Sequence, residues 1–298
     1  MTTPTHKAGF VNIIGKPNAG KSTLLNILVS EPLAIVTSKA QTTRHRLLGI
    51  VNDDHHQIIY SDTPGVLEPA YKLHESMMST INEAFEDADV LLIIQASHDK
   101  AMDANLLEKI CKSEKPVIFL LNKIDLHKQE EVQQTIDYWE ETLSHAHIIP
   151  VSALHKFNTD KVEETVRQLI PQSPPYYDKD TLTDKPVRFF ISEIIREKIL
   201  LQYRKEIPYS VEVEVEEFKD TGPLVRIRAN IYIERESQRK IMIGTQGKAI
   251  KGLGIDARKS IEKFIEKKIF LDLSIKISKD WRNDDQKLKR FGYTIEKP

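Results

Sequence analysis

Through residues 1–172, short apolar runs alternate with stretches whose apolar positions recur every three or four residues. The runs Gly9–Ile14, Leu47–Val51, Gln57–Ser61, Val90–Ala96, Val117–Leu121 and Ile148–Val151 read as strands. Between them, Asn105–Lys112, Val132–Leu143 and Val162–Ile170 read as amphipathic helices. Strand–helix alternation predicts an α/β fold, a doubly wound, mostly parallel sheet covered on both faces. Its ligand belongs at the carboxyl ends of the strands.

The period then breaks. Residues 173–186, beginning Ser173-Pro174-Pro175-Tyr176-Tyr177, are polar, proline-rich and weakly periodic, and read as an interdomain linker. Residues 187–298 carry a different pattern. Phe189–Lys205 is helical, Val211–Val215 and Val225–Ile231 alternate strictly, and the turn Asp220-Thr221-Gly222-Pro223 between them makes an antiparallel pair. A short helix to Ile243, a longer one over Lys248–Glu266 and a strand at Leu271–Ile277 complete an α-β-β-α-α-β order. Two domains therefore share the 298 residues.

Composition adds little until it is divided. Overall the chain is 40% hydrophobic with a net charge of −1. No apolar stretch reaches the ~18 residues a membrane span needs, and no basic n-region with an h-region opens the chain. One cysteine, Cys111, excludes an intrachain disulfide and a cysteine-rich zinc site, and is expected in the core of a helix. A cytoplasmic protein is expected. Residues 1–186 carry 18 Lys+Arg against 26 Asp+Glu, whereas residues 187–298 carry 25 against 18. An acidic module is thus joined to one suited to a polyanion.

The chemistry is written at the strand ends. Gly15-Lys16-Pro17-Asn18-Ala19-Gly20-Lys21-Ser22 follows the first strand and opens a helix that continues through Thr23. That context is what a phosphate-binding loop requires: glycines let backbone N–H groups face phosphate oxygens, and the helix adds its positive dipole end. Lys21 reaches the β/γ-phosphates and Ser22 can ligate Mg²⁺. Asp62-Thr63-Pro64-Gly65 follows another strand. Its carboxylate can hold Mg²⁺ through water, and the Gly65 N–H can sense a γ-phosphate. Ala40-Gln41-Thr42-Thr43-Arg44 lies where a GTP-dependent switch belongs, with Thr43 favoured over Thr42 as the Mg²⁺ ligand.

Asn122-Lys123-Ile124-Asp125 names the base. Guanine presents N1–H and an exocyclic amine on one edge, and a fixed carboxylate accepts both, so Asp125 selects guanine over adenine. Lys123 can lie over the ring, Asn122 can tie neighbouring loops together, and Ser152-Ala153 can offer an N–H to the guanine O6. Residue 66, where signalling GTPases place a water-orienting glutamine, is valine, so unassisted hydrolysis is expected to be slow. Asn18 is a candidate K⁺ ligand bridging the ion to phosphate oxygens. Lys21, Thr43 and Gly65 carry the catalytic expectation.

The set GKPNAGKS, QTTR, DTPG, NKID and SAL (Ser152-Ala153-Leu154) resembles the TrmE–Era class of translation GTPases. Phe190–Lys198, Pro208-Tyr209-Ser210-Val211, Ile243–Gly247 and Ile255–Lys259 narrow the resemblance to the Era subfamily, over about Gly9 to Tyr293. It implies an Era-type GTP-binding domain over 1–172 and a type II KH RNA-binding domain over 187–298. Gly244-Thr245-Gln246-Gly247 would be the GxxG loop that clamps single-stranded RNA phosphates. Lys248, Lys251 and Arg258 lie in a stretch, Ser237–Lys268, with nine Lys+Arg against three acids. The loop interior lacks the basic residue expected there, so phosphate affinity leans on Lys248 and Lys251. The resemblance further implies a monomer that cycles between GTP and GDP and binds the 3′ region of 16S rRNA. It implies maturation of the 30S subunit and, for some members, peripheral inner-membrane contact.

Two rivals stand beside this reading: an RNA-binding protein whose nucleotide module no longer hydrolyses, and a P-loop metabolic kinase, which NKID disfavours. Several residues suggest chemistry that simpler roles explain. His55-His56 and His145/His147 read as surface or strand-edge histidines, Trp281 as packing, and Gln95 as a satisfied core amide. Glu212, Glu214 and Glu216 read as one solvated strand face.

Overall fold

The computed structural model describes residues 6–99, 101–220 and 222–294; the ends of both expected domains and Thr221 of the expected turn lie outside them. The chain divides into two units, residues 1–68 with 77–184 and residues 69–76 with 185–298.

In the first unit, β1 (Lys7–Ile14), α1 (Lys21–Val29), β2 (Leu47–Asn52), β3 (His56–Asp62), α2 (Lys72–Asp87), β4 (Val90–Ala96), α3 (Ala104–Cys111), β5 (Val117–Asn122), α4 (Gln129–Thr142), β6 (His147–Pro150) and α5 (Thr159–Leu169) follow in order. Among the described residues the sheet runs β2-β3-β1-β4-β5-β6, parallel except for β2 against β3. Strands β4 and β5 are buried at every position, as strands covered on both faces must be. The parallel order brings the carboxyl ends of β1, β3, β5 and β6 to one edge, where the loops 15–22, 62–65, 122–125 and 152–154 begin. Helix α2 lacks an obvious sequence signal because polar residues dominate it. Residues 72–76 of α2 group with the second unit; within the first, its buried Met77, Ile81 and Ala84 nonetheless recur at helical spacing.

The stretch expected as a linker is strapped onto this unit through residue 184. Gln57, fully buried in β3, accepts from the backbone N–H groups of Tyr176 (2.6 Å) and Tyr177 (2.9 Å) and donates to the Tyr177 carbonyl (2.8 Å). Ile50 donates to Leu182 O, and Leu48 N–H reaches Asp184 Oδ1. Gln57→Ala is expected to destabilise this unit by about 2–4 kcal/mol, since it strands several groups. Hydrogen exchange at residues 176–182 would rise sharply; unchanged protection there would refute the anchoring.

The second unit comprises α6 (Val187–Gln202), α7 (Ile207–Ser210), β7 (Glu212–Asp220), β8 (Leu224–Ile233), α8 (Glu236–Ile243), α9 (Lys248–Ile265), β9 (Lys268–Ile277) and α10 (Asp285–Arg290). Its sheet runs β7-β8-β9, antiparallel then parallel, with a register shift between Val215 and Glu217. Val225, Ile227, Ala229, Ile231 and Ile233 face a core shared with Ile195 and Ile199 of α6 and Leu253, Ala257 and Ile261 of α9. The α-β-β-α-α-β frame thus gains α7 and α10. Asp284 caps α10 by accepting from the N–H groups of Gln286 and Lys287.

Two expectations about single residues are corrected. Cys111 is exposed, because α3 buries Leu106 and Ile110 and the next position lies about 100° around the helix. Glu212 is buried and accepts from Tyr293 Oη at 2.6 Å. Glu214 is partly buried and binds Tyr232 and Arg290. Only Glu216 of the three is exposed. The chain following α10 lies over that end of β7, which strand alternation could not reveal. Trp281 is fully buried, its indole N–H on Ser210 O (3.0 Å), and Gln95 donates to Asp99 O (2.9 Å).

Candidate nucleotide and nucleic-acid sites

The phosphate-binding loop is held by close backbone approach. A Cβ on Gly15 would lie 2.2 Å from Ile94 O, one on Gly20 2.2 Å from Asn122 Nδ2, and one on Gly65 2.6 Å from Pro17 N. Gly20 also adopts φ 108°, a left-handed conformation that favours glycine. Helix α1 begins at Lys21 with neither a side-chain cap nor an acid in its first turn, which leaves its N–H groups and positive end for an anion. Lys21 Nζ donates to Gly15 O (2.9 Å) and Lys16 O (2.8 Å). Asn18 is an exposed left-handed residue on the rim. The loop opens onto a cavity of about 490 Å³ lined also by Ser22, Thr23, Thr43, Gly65, His98 and Lys123.

Three oxygen-bearing side chains from separate segments meet at its base. Ser22 Oγ and Thr43 Oγ1 donate to Asp62 Oδ2 at 2.7 and 2.9 Å and lie 2.9 Å from each other. Thr42 is turned away, donating to Lys39 O. Asp62 is fully buried and its Oδ1 has no hydrogen-bond partner. An orphaned carboxylate oxygen beside two hydroxyls fits a hard divalent cation such as Mg²⁺. Burial raises the Asp62 pKa against the opposing pull of Lys21, Ser22, Thr43 and the Thr63 backbone. Burial likewise pushes Lys21 down to about 8, with Asp62 opposing. Both charges are thus costly until a phosphate and a cation join them.

The Asn122–Asp125 and Ser152–Leu154 loops are braced together. Asn122 donates to Ala19 O (2.7 Å) and accepts from Ala153 N–H (3.0 Å), tying the phosphate loop to the Ser152–Leu154 segment. Ser152 Oγ donates to Asp125 Oδ1 at 2.5 Å, which orients the carboxylate. Lys123 sits at φ 64° with its carbonyl held by Ser97 Oγ. Leu154 is exposed. Thr63 Oγ1 donates to Ile13 O, and Pro64 is buried. Val66 packs against the core under the sheet, its N–H on Gly15 O. Residues 35–39, which wall the cavity, carry no motif and were not legible in the sequence.

In the second unit, Gly244 stands at φ 69°, where a Cβ would lie 2.7 Å from Ala249 Cβ. Gln246 (φ 52°) and Gly247 (φ 75°) continue the turn into α9. Thr245, Gln246, Lys248, Lys251 and Arg258 are exposed. Lys251 and Arg258 flank a groove of about 320 Å³ floored by Ile250, Ile255, Leu271 and Leu273. A basic rim around an apolar floor suits phosphates outside and bases inside. The β9 leucines were missed because their strand alone does not show which helix they face.

A glycine loop opening a helix, a buried Ser22–Thr43–Asp62 cluster and the Asn122–Asp125 loop on a mostly parallel sheet define a P-loop GTPase, here carrying a C-terminal KH domain. Residues 10–123 match the 50S ribosome-binding GTPase family and residues 206–282 the KH domain family. The chain is 43% identical to GTPase Era of Syntrophus aciditrophicus (strain SB), covering 96% of this chain and 95% of that one. It is 38% identical to GTPase Era of Ruminiclostridium cellulolyticum, covering 98% and 99%. A crystal structure of Era in complex with MgGDPNP and nucleotides 1506–1542 of 16S ribosomal RNA matches with TM-score 0.93 and 35% identity, covering 97% of this chain and 100% of that one. A Tyr-to-Ala variant of Aquifex aeolicus Era bound to GDP·AlF₄⁻ matches with TM-score 0.91 at the same identity, again covering 97% and 100%. The chain belongs to the Era family of GTPases.

Proposed function

We propose that this GTPase binds the 3′ region of 16S rRNA through its KH domain under control of the bound nucleotide, and so assists 30S assembly in the cytoplasm. The observation that carries the proposal is that one chain holds both the buried Ser22–Thr43–Asp62 cluster and the basic-rimmed groove beside Gly244–Gly247. Its likeness to an Era bound to a GTP analogue and 16S rRNA supports it.

In this reading Asp125 takes the guanine N1–H and exocyclic amine and Lys123 covers the ring; the N–H groups of Ser152 and Ala153, expected to face O6, are instead committed to Phe157 O and Asn122 Oδ1 and brace the loop. The 15–22 loop and Thr23 hold the phosphates, with Lys21 balancing the charge that develops on the transferred phosphoryl. Ser22, Thr43 and Asp62 hold Mg²⁺, which when bound neutralises phosphate charge. Thr43 lies in the segment following residues 35–39, so its engagement links the nucleotide state to that segment's conformation. Val66 can neither donate nor accept, so water is positioned by other groups. Asn18, exposed on the cavity rim, would hold a K⁺ ion that adds positive charge beside the phosphates. Replacing K⁺ by Na⁺ is expected to slow hydrolysis at least about 5-fold, an effect absent in Asn18→Ala. Equal rates in both salts would remove the ion from the scheme.

The deciding experiment is binding of a labelled oligonucleotide from the 3′ end of 16S rRNA, beside a scrambled control. It is run with a non-hydrolysable GTP analogue and with GDP. Tighter binding to the true sequence in the GTP-like state is expected. Equal, salt-sensitive binding of both oligonucleotides in both states would overturn the ribosomal assignment.

A further inference from the structure

The last turn of α6 is fastened to both helices that flank the GxxG loop. Gln202 Nε2 donates to Ala249 O (2.8 Å) in the first turn of α9. Tyr203, buried, donates from Oη to Met242 O (2.8 Å), two residues before Gly244. Arg204 and Lys205 follow directly, and Ile207 and Pro208 are buried again. The two cations therefore ride on a short exposed turn pinned to the core on either side. Lys205 is itself left-handed (φ 55°), a conformation that non-glycine residues adopt at a cost. Neither side chain has a hydrogen bond or ion pair among the described residues.

Neighbouring charges reinforce them. Lys240 at the end of α8 and Lys248 at the start of α9 are exposed and likewise without an ion pair among the described residues. Arg239 is engaged by Glu236 at 3.7 Å, and Glu206 is the exposed carboxylate on the turn itself. Helix α9 begins at Lys248, after Gly247 as N-cap, with no side-chain cap and no acid in its first turn. Met242 and Ala249, to which this turn is pinned, stand two residues from Lys240 and next to Lys248, so these cations belong to the helix ends on which the turn is anchored. The apolar groove lies along another part of α9, between Ile250, Ile255 and the β9 leucines.

We propose that Arg204 and Lys205 form a phosphate-binding site that extends the RNA track beyond the GxxG clamp. The site contacts the backbone of nucleotides outside the roughly four that a KH groove holds, without reading their bases. It rests on the reading that this domain binds single-stranded RNA. Fixing both cations on an anchored turn lowers the ordering cost of each phosphate contact.

The test uses the full chain with a non-hydrolysable GTP analogue and two oligonucleotides from the 3′ end of 16S rRNA. One just fills the groove; the other is extended by several nucleotides at both ends. Affinities are measured over a range of KCl concentrations for the wild type and for Arg204→Gln/Lys205→Gln. In the wild type the extended RNA is expected to show a log Kd–log[salt] slope steeper by about 1.4, the value for two further phosphates on a single strand. The double variant should bind it about 10-fold more weakly at low salt, with the slope reduced to that of the short RNA. Its affinity for the short RNA, its melting temperature and its GTP hydrolysis should be unchanged, and Arg204→Lys/Lys205→Arg should restore extended binding. Equal losses on both RNAs, or no loss on either, would overturn the extension while leaving the RNA-binding reading intact. Failure of the wild type to bind either RNA would remove that reading and the extension with it. Loss of retention on anionic vesicles, with RNA binding unchanged, would reassign the turn to a membrane surface.

Discussion

Asp125→Asn is expected to lower GTP affinity by about 100-fold or more and to raise affinity for xanthosine triphosphate. The guanine edge offers two adjacent donors, and only an acceptor-only group satisfies both. A charge-assisted hydrogen bond contributes about 1.5–3 kcal/mol, so losing two such bonds supports the stated loss. An amide places a donor where guanine also donates, whereas xanthine carries a carbonyl there. Ser152 Oγ, 2.5 Å from Asp125 Oδ1, would hold the asparagine in nearly the same place, so the effect is chemical rather than conformational. Competition binding with GTP, ATP and xanthosine triphosphate provides the check. An unaltered ATP/GTP preference in the variant would mean that this loop does not read the base, and the metabolic-kinase reading would return.

Lys21→Ala is expected to reduce GTP hydrolysis at saturating nucleotide by about 10³-fold, in line with removal of a preorganised charge from a dry site. Lys21 lies at the start of α1, nearly inaccessible, with its ammonium on two carbonyls of the loop that wraps the phosphates. Burial disfavours its charged form and lowers its pKa to about 8. The sign of the stability effect follows. A lysine whose folded pKa lies below its unfolded value destabilises the fold fully below pH 8, and this penalty fades as pH rises toward 10.5. The nucleotide-free variant should therefore melt no lower than the wild type at pH 7, which separates lost chemistry from lost structure. Single-turnover phosphate release and thermal melts of the same preparation decide the matter. Hydrolysis within 10-fold of wild type would place the catalytic charge elsewhere.

Much of this was written locally in the chain. The phosphate loop needs glycines at fixed offsets and a strand before and a helix after, all within about twenty residues, so short-range pattern suffices. Alternation in Val225–Ile231 likewise identified β8 and its inward face. Local pattern failed where burial is imposed from afar. Glu212 looks solvated until Tyr293, 81 residues later, donates to it. The proline-rich segment after Ile170 looks free until Gln57, roughly 120 residues earlier, binds Tyr176 and Tyr177. Cys111 looks apolar until the buried stripe of α3 passes beside it rather than through it.

Residue types and their order were enough to point to the nucleotide class and the guanine preference, because each depends on functional groups at fixed spacing along the backbone, whereas the RNA-binding domain was implied by the resemblance to the Era subfamily. The cation site depended on tertiary structure. Ser22, Thr43 and Asp62 stand 21 and 19 residues apart in succession, and nothing in their spacing distinguishes Thr43 from Thr42. Parallel pairing of β3 with β1 sets Asp62 opposite Ile13, at the mouth of the loop that leads to Ser22. The fold then turns the Thr43 hydroxyl onto Asp62 and the Thr42 hydroxyl onto Thr37 and Lys39. A contact between segments distant in sequence is decided by how strands pair and helices cover them, and that is a property of the whole packed unit.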